Sequence, residues 1–158
     1  MLFSDDRFLS SDQDIVDFHP THLDGLQLRA SELEQIRAAP GVLQRIQDQA
    51  GDGLSWTGTR GGHPICVFGI RPLWNGVAEA WMIPGAGIER APISLVKGGR
   101  QLFEDAIADL RLQRLQITVR CQNDTHIKFA TLLHFHIEST LKRYGPLGDD
   151  FYMMVWGK

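Results

Sequence analysis

Residues 79–110 read EAWMIPGAGIERAPISLVKGGRQLFEDAIADL, and the rest of the chain is organised around them. An apolar strand, predicted over residues 76–83, runs into a short glycine-rich loop, and the longest helical pattern in the chain follows. The first half of that pattern carries a basic run with two glycines: Lys97, Gly98, Gly99 and Arg100. A strand, a glycine-rich loop and a helix in this order can present backbone N–H groups to a phosphate. The stretch therefore predicts a strand–helix unit with a candidate phosphate site.

The hydrophobic periodicity places the other elements. Apolar side chains recur at i, i+3, i+4 and i+7 over residues 92–110, which predicts a long helix. Strands at residues 53–59, 64–71 and 76–83 predict an antiparallel meander. Further strands are predicted over residues 14–18, 115–121, 139–144 and 150–156, and further helices over residues 29–38, 42–49 and 125–135. This order predicts an α/β fold with a mixed, mostly antiparallel sheet of about seven strands and helices on both faces.

The composition is that of an ordinary globular domain, with 43% hydrophobic and 22% charged residues in 158. We expect a single domain over residues 13–158, preceded by an N-terminal arm at residues 1–12. The net charge of −3 gives no signal for nucleic-acid binding. No apolar run reaches the ~20 residues of a membrane span. The two cysteines and the scattered histidines lack metal-ligand spacing, so no metal is expected.

Three segments carry a resemblance to a known superfamily. They are AEAWMI at residues 78–83, VRCQNDTHI at residues 119–127 and FATLLHF at residues 129–135. They resemble the fourth strand and the V-x-x-x-N-x-x-A-I and F-Y-x-x-L-G-F segments of the GNAT N-acetyltransferases, and the resemblance extends over residues 14–158.

The resemblance implies a GNAT-like domain that holds acetyl-CoA between the strands at residues 77–83 and 115–121. It also implies cofactor contacts along Trp81, Met82 and Ile83, a further contact at Asn123, and a general base at Glu79. The residues themselves leave the role of Glu79 open. Its alternation with Val77 is equally typical of a side chain that faces solvent on a half-covered strand.

The phosphate loop departs from the superfamily's pattern. Its R/Q-x-x-G-x-G/A positions align with Ser94, Lys97 and Gly99, so that only the second glycine is kept. One hypothesis is that Lys97, Gly98, Gly99 and Arg100 still contact a phosphate. The other is that Gly98 and Gly99 let the helix pack closely against the sheet.

The position of the superfamily's proton donor also differs in this sequence. The superfamily's catalytic tyrosine falls at Ala130, which has no proton to donate. His134 lies one helical turn later and is a candidate replacement near neutral pH. The alternative is that His134 is a partly exposed histidine at a helix end.

Two longer segments resemble a narrower group. WMIPGAGIERAPISLVKGGRQL at residues 81–102 and RYGPLGDDFYMMVW at residues 143–156 resemble the GNAT-like internal virion protein A proteins of short-tailed phages. This implies a phage-encoded protein of the virion or host cytoplasm, with other phage virion proteins or a host protein as partners. We therefore expect a structural or interaction component with a degenerate acyl-CoA site; the alternative is an active acetyl-CoA-dependent N-acetyltransferase that acts on a protein or small-molecule amine.

Overall fold

A computed structural model describes residues 15–49 and 54–157, without the side chains of residues 43, 46 and 49. The predicted arm at residues 1–12 lies outside the described residues. The described strands are β1 Ile15–Asp17, β2 Ser55–Arg60, β3 His63–Trp74, β4 Val77–Pro84, β5 Arg114–Arg120, β6 Phe135–Leu141 and β7 Phe151–Trp156. The described helices are α1 Thr21–Asp24, α2 Ala30–Ala38, α3 Val42–Gln49, α4 Ile93–Asp109 and α5 Asp124–Leu132, with a 3₁₀ turn at Ile88–Arg90.

The seven strands form one sheet in the order β1-β2-β3-β4-β5-β7-β6. Every neighbouring pair is antiparallel except β4 and β5, which are parallel and joined through α4. A parallel pair requires such a crossover, and the long amphipathic helix supplies it. The predicted mixed, mostly antiparallel α/β sheet is confirmed.

The two faces of the sheet are covered by different helices. On one face, α4 and α5 pack through Leu102, Phe103 and Phe129 on a core that includes Ala78 and Ala80 of β4. On the other face, Ile83 and Val67 pack with Leu26 and with part-buried residues from α3 and the segment between α1 and α2. Because side chains alternate along a strand, odd-numbered residues of β4 face this second side. None of the helices in residues 15–49 and 54–157 has the length and apolar character of a membrane span.

β4 and β5 separate soon after they begin. They pair only from Val77–Glu79 against Arg114–Gln116, within the described residues. From Ala80 onward β4 keeps its pairing with β3, while β5 turns to β7. We call the resulting opening the β4–β5 gap. It lies at the end of β4 from which the chain enters α4.

Several element boundaries differ from the sequence prediction. α5 ends at Leu132 rather than at residue 135, because His134 adopts a left-handed conformation with φ of 73° that stops the helix. β6 then begins at Phe135, four residues before the predicted start of that strand. β3 continues to Trp74, past an irregularity in its pairing with β4 and three residues beyond its predicted end at residue 71.

Candidate functional site

A cavity of about 420 Å³ occupies the β4–β5 gap. Phe103, Phe129 and Ala130 line it on the α4–α5 side of the sheet, and Glu32 and Glu79 line it on the α2 side. The cavity therefore passes from one face of the sheet to the other, as it can only where two strands have separated.

The backbone of β4 offers polar groups to this cavity. The Gly76 carbonyl accepts from Arg114 N on β5, whereas Gly85 N donates to Ile65 O on the β3 side. Because strand residues alternate between their two neighbours, Ala80 and Met82 direct their N–H and C=O groups toward β5. At these two residues β5 has already turned away, so the groups border the gap. Of the predicted contact residues, Met82 thus presents its backbone there.

The side chains of Trp81 and Ile83 lie on the α2 side and line the same cavity. Ile83 is buried in the second core. The indole of Trp81 lies across Gly69, its cross-strand partner on β3. A β-carbon at Gly69 would come within 2.6 Å of the Trp81 ring. The indole can occupy this space because residue 69 has no side chain.

Glu79 also lines the cavity, with its side chain 23% exposed. Its Oε1 accepts from Arg71 Nη2 at 3.0 Å, across the β3–β4 pairing, and its Oε2 accepts from Gln116 Nε2 at 3.4 Å. The carboxylate is therefore held in place by both neighbouring strands, and its negative charge is balanced by Arg71.

A second carboxylate, Glu32 of α2, enters the cavity beside the start of α5. Asn123, the N-cap of α5, accepts from His126 N through Oδ1 at 3.2 Å. Its Nδ2 then lies 2.8 Å from His126 Nδ1 and 3.3 Å from Glu32 Oε1. Asn123, predicted as a cofactor contact, thus joins Glu32 to His126.

The same geometry fixes the state of the imidazole. Since Asn123 Nδ2 is a donor, His126 Nδ1 accepts and the ring proton sits on Nε2. Burial, followed by the charge of Arg29, lowers the pKa of His126 to about 4, so the ring is neutral near pH 7. Nε2 lies 3.2 Å from Glu32 Oε1 but is not aligned as a hydrogen bond. Burial raises the pKa of Glu32, the effect exceeding that of its hydrogen bonds and of the nearby arginines.

Sequence reasoning missed this cluster. The charges along α2 alternate in sign, a pattern typical of a solvated face, whereas the Glu32 side chain is only 14% exposed. Asn123 and His126 have the spacing of an N-cap and its third helical residue, which was a usable signal. The sequence around Glu32 carries no such signal, because Glu32 contacts Asn123 from 91 positions away in the sequence.

An ion pair joins β5 to the loop between β6 and β7 beside the cavity. Arg120 Nε pairs with the carboxylate of Asp149, to which Gln35 Nε2 of α2 donates at 3.2 Å. A β-carbon at Gly145 would collide with Asp149 Oδ1 at 2.1 Å, so the loop needs glycine to seat this carboxylate. Helix α2 is thereby fastened to the β6–β7 loop at the edge of the cavity.

The predicted phosphate residues lie in the second turn of α4, after the helix start at Ile93. Gly99 is buried, and a β-carbon there would lie 3.1 Å from Leu133 Cδ2. Arg100 Nε donates to the Leu132 carbonyl at 2.5 Å, and Lys97 is exposed. N–H groups in a second helical turn bond within the helix, whereas those at its start are open to a ligand.

His134, the predicted proton donor, stacks on Trp156 with ring centroids 6.4 Å apart. It is not among the described residues that line the cavity. Ala130, which does line the cavity, supplies no proton. No group of three or more histidine, cysteine or acidic side chains that could hold a metal occurs within the described parts of the chain.

Comparison with known proteins supports the fold. No protein-family model and no curated protein matches the sequence. Among solved structures, a GNAT-family acetyltransferase from Bacillus anthracis superposes with a TM-score of 0.63 at 10% identity, covering 89% of this chain and 92% of that one. Ard1 from Thermoplasma volcanium gives 0.64 at 15% identity, covering 91% and 97%.

A ribosomal-protein-alanine N-acetyltransferase from Brucella melitensis gives a TM-score of 0.57 at 16% identity, covering 89% of this chain and 97% of that chain. Each of these proteins is matched over most of its length. The chain therefore has the GNAT acetyltransferase fold.

Proposed function

We propose that this protein binds acetyl-CoA in the β4–β5 gap and transfers the acetyl group to an amine. The observation that carries the proposal is the gap itself: a cavity that crosses the sheet, with a polar strand edge at Ala80 and Met82 and a held carboxylate at Glu79. The acetyltransferase fold of the structural neighbours supports the same activity.

The residues of the gap fit the pantetheine arm of such a molecule. An arm of amides needs hydrogen-bond partners along one line, and a strand edge that has lost its neighbour offers them. The apolar wall of Phe103, Phe129 and Ala130 suits the methylene segments. At the start of α4, the N–H groups of Ile93 and Ser94 have no side-chain cap, and Lys97 is exposed one turn later. These groups suit a diphosphate.

Acetyl-CoA supplies a thioester carbonyl that an amine can attack. The protein's own contribution begins at Met82, whose N–H borders the gap and suits an oxygen that gains negative charge. Glu79 accepts a proton from the amine, through a water where the distance requires it. Its hydrogen bonds from Arg71 and Gln116 hold the carboxylate in position. The C–S bond breaks as the amide forms, and CoA leaves as the thiolate. Ala130 stands at the position of the superfamily's tyrosine and cannot protonate this thiolate, and the predicted role of His134 stays a prediction.

Calorimetry with acetyl-CoA tests the binding step. We expect saturable binding, and a ligand at 100 times its Kd should raise the free energy of unfolding by about 2.7 kcal/mol. Glu79→Gln should keep this binding and lose turnover, while Glu34→Gln on exposed α2 surface should keep both. Absence of acetyl-CoA binding by the folded protein overturns the proposal.

A second candidate function follows from Ala130. A site that lacks the proton donor fits an interaction component of a phage particle, with a virion or host protein as partner. Trp74, 68% exposed at the end of β3, is then a candidate contact. A mass-spectrometric inventory of the intact particle tests this candidate, which predicts the protein in the particle and no turnover with any amine.

A further inference from the structure

Two carboxylates line the cavity, and only one of them is paired with a cation. Glu79 is balanced by Arg71 and receives a second hydrogen bond from Gln116. Glu32 has no described arginine or lysine within ion-pair distance, and its immediate partners are Asn123, the Ser31 hydroxyl and the neutral ring of His126.

The two arginines whose charges act on Glu32 are each paired with another carboxylate. Arg29 pairs with Glu89, and Arg120 pairs with Asp149. They influence Glu32 only at longer range. A largely buried carboxylate without a paired cation is costly, and the cost falls when a cation arrives.

We propose that Glu32 receives the ammonium group of the acceptor and so selects cationic amines. This ammonium gives up one proton to solvent water before its nitrogen can attack, and Glu79 accepts the second proton as the amide forms. This inference rests on the proposed function, since it concerns the acceptor of the same site. Glu32 lies on the α2 side, opposite the Phe103, Phe129 and Ala130 wall assigned to the cofactor. An ammonium there has three N–H donors, whereas the described donors to the Glu32 carboxylate, Asn123 and Ser31, are both neutral.

The surroundings of Glu32 also indicate what the amine carries. Ile36, Ala39 and Val42 line the cavity along α2 and the start of α3, and Tyr144 and Pro146 line it from the β6–β7 loop. These side chains give the cavity that contains Glu32 apolar and aromatic surface. The acceptor is therefore a primary amine attached to an apolar group, whether a small molecule or a peptide end.

The test uses 2-phenylethylamine, which is protonated at pH 7, and 2-phenylethanol, which has the same shape without the charge. NMR titration of the folded protein with each compound gives two dissociation constants. For the unaltered protein we expect the amine to bind about tenfold more tightly than the alcohol, as for one charge-assisted contact. In Glu32→Gln the preference should disappear, while Glu34→Gln on the same helix, whose side chain is exposed, should keep it.

Acetyl-CoA binding by the same variants separates this inference from the proposed function. We expect equal acetyl-CoA affinity in the unaltered protein, Glu32→Gln and Glu34→Gln. Intact acetyl-CoA binding with an amine preference that survives Glu32→Gln overturns the assignment of Glu32 alone. Absence of acetyl-CoA binding in the unaltered protein overturns the proposed function and, with it, the identification of the amine as an acceptor.

Discussion

Gly69 is the position where a single added methyl group should test the packing beneath the site. A β-carbon there would lie 2.6 Å from Trp81 Cζ2 and 2.7 Å from the Leu54 carbonyl oxygen. The indole can shift, but the Leu54 carbonyl accepts from Ile70 N at 2.9 Å and cannot move without weakening that bond. Gly69→Ala should therefore strain the β2–β3 pairing as well as displace Trp81.

The expected magnitude comes from two opposing effects. Overpacking of a filled site costs about 1–3 kcal/mol. Replacing glycine by alanine recovers about 0.4–1 kcal/mol through the lower entropy of the unfolded chain. The net loss in free energy of unfolding is about 1–2 kcal/mol, or about 2–8 °C in Tm for a chain of this size.

Urea denaturation of Gly69→Ala and of a matched control measures this loss. The control is Gly25→Ala, because Gly25 has φ of −85° and a β-carbon there would meet Pro64 Cγ at an ordinary 3.6 Å. Gly25→Ala should equal or slightly exceed the unaltered protein in stability. If Gly69→Ala matches Gly25→Ala at equal m-value, the described packing of Trp81 on β3 is wrong.

Three further predictions concern the charged groups. Glu79→Gln should lower kcat about 100-fold or more with unchanged acetyl-CoA affinity, as for loss of a proton acceptor; equal turnover in a steady-state assay would remove Glu79 from the mechanism. Glu32→Gln should leave Tm at pH 7 unchanged or raised, because burial opposes the ionised carboxylate there; a clear fall in Tm would mean that the charge stabilises the fold. His126 has a folded pKa of about 4, below its unfolded value of 6.5, so its neutral form favours folding above pH 6.5 and stability should fall as the pH drops toward 4. The loss in free energy of unfolding is about 2 kcal/mol after allowance for partial solvation. Protonation of Glu32 below its own raised pKa stabilises the fold and so opposes this loss. His126→Gln should flatten the pH dependence of urea unfolding between pH 6.5 and 4.5.

The sheet and its helices could be predicted because their signals are local. Residues 92–110 carry a helical period, and the meander is marked by glycine-containing turns, so that α4 and β2–β4 fall within a few residues of prediction. The boundary at His134 was not predicted, because FATLLHF contains neither glycine nor proline and the left-handed residue that stops the helix is a histidine.

The candidate site likewise has one part that the sequence predicts and one part that it does not. Glu79 and Met82 lie on one strand, and their positions follow from alternation. The Glu32–Asn123–His126 cluster depends on how α2 lies over the sheet, which is a tertiary property without a sequence period. The assignment of Lys97 and Arg100 to a phosphate stays a prediction, while Gly99 has the close contact with Leu133 that the packing hypothesis describes.

We call the short pairing of β4 with β5, Val77–Glu79 against Arg114–Gln116, the seam of the sheet. Three residue pairs are the only sheet pairing between the part of the sheet built from residues 15–84 and the part built from residues 114–156, within the described chain. A molecule that lies along the seam completes a ladder that the chain leaves unfinished. A ligand bound in the β4–β5 gap should therefore couple the two parts of the sheet. Amide exchange at Ala80 and Met82 should slow on binding, and the two parts should open as one unit rather than separately.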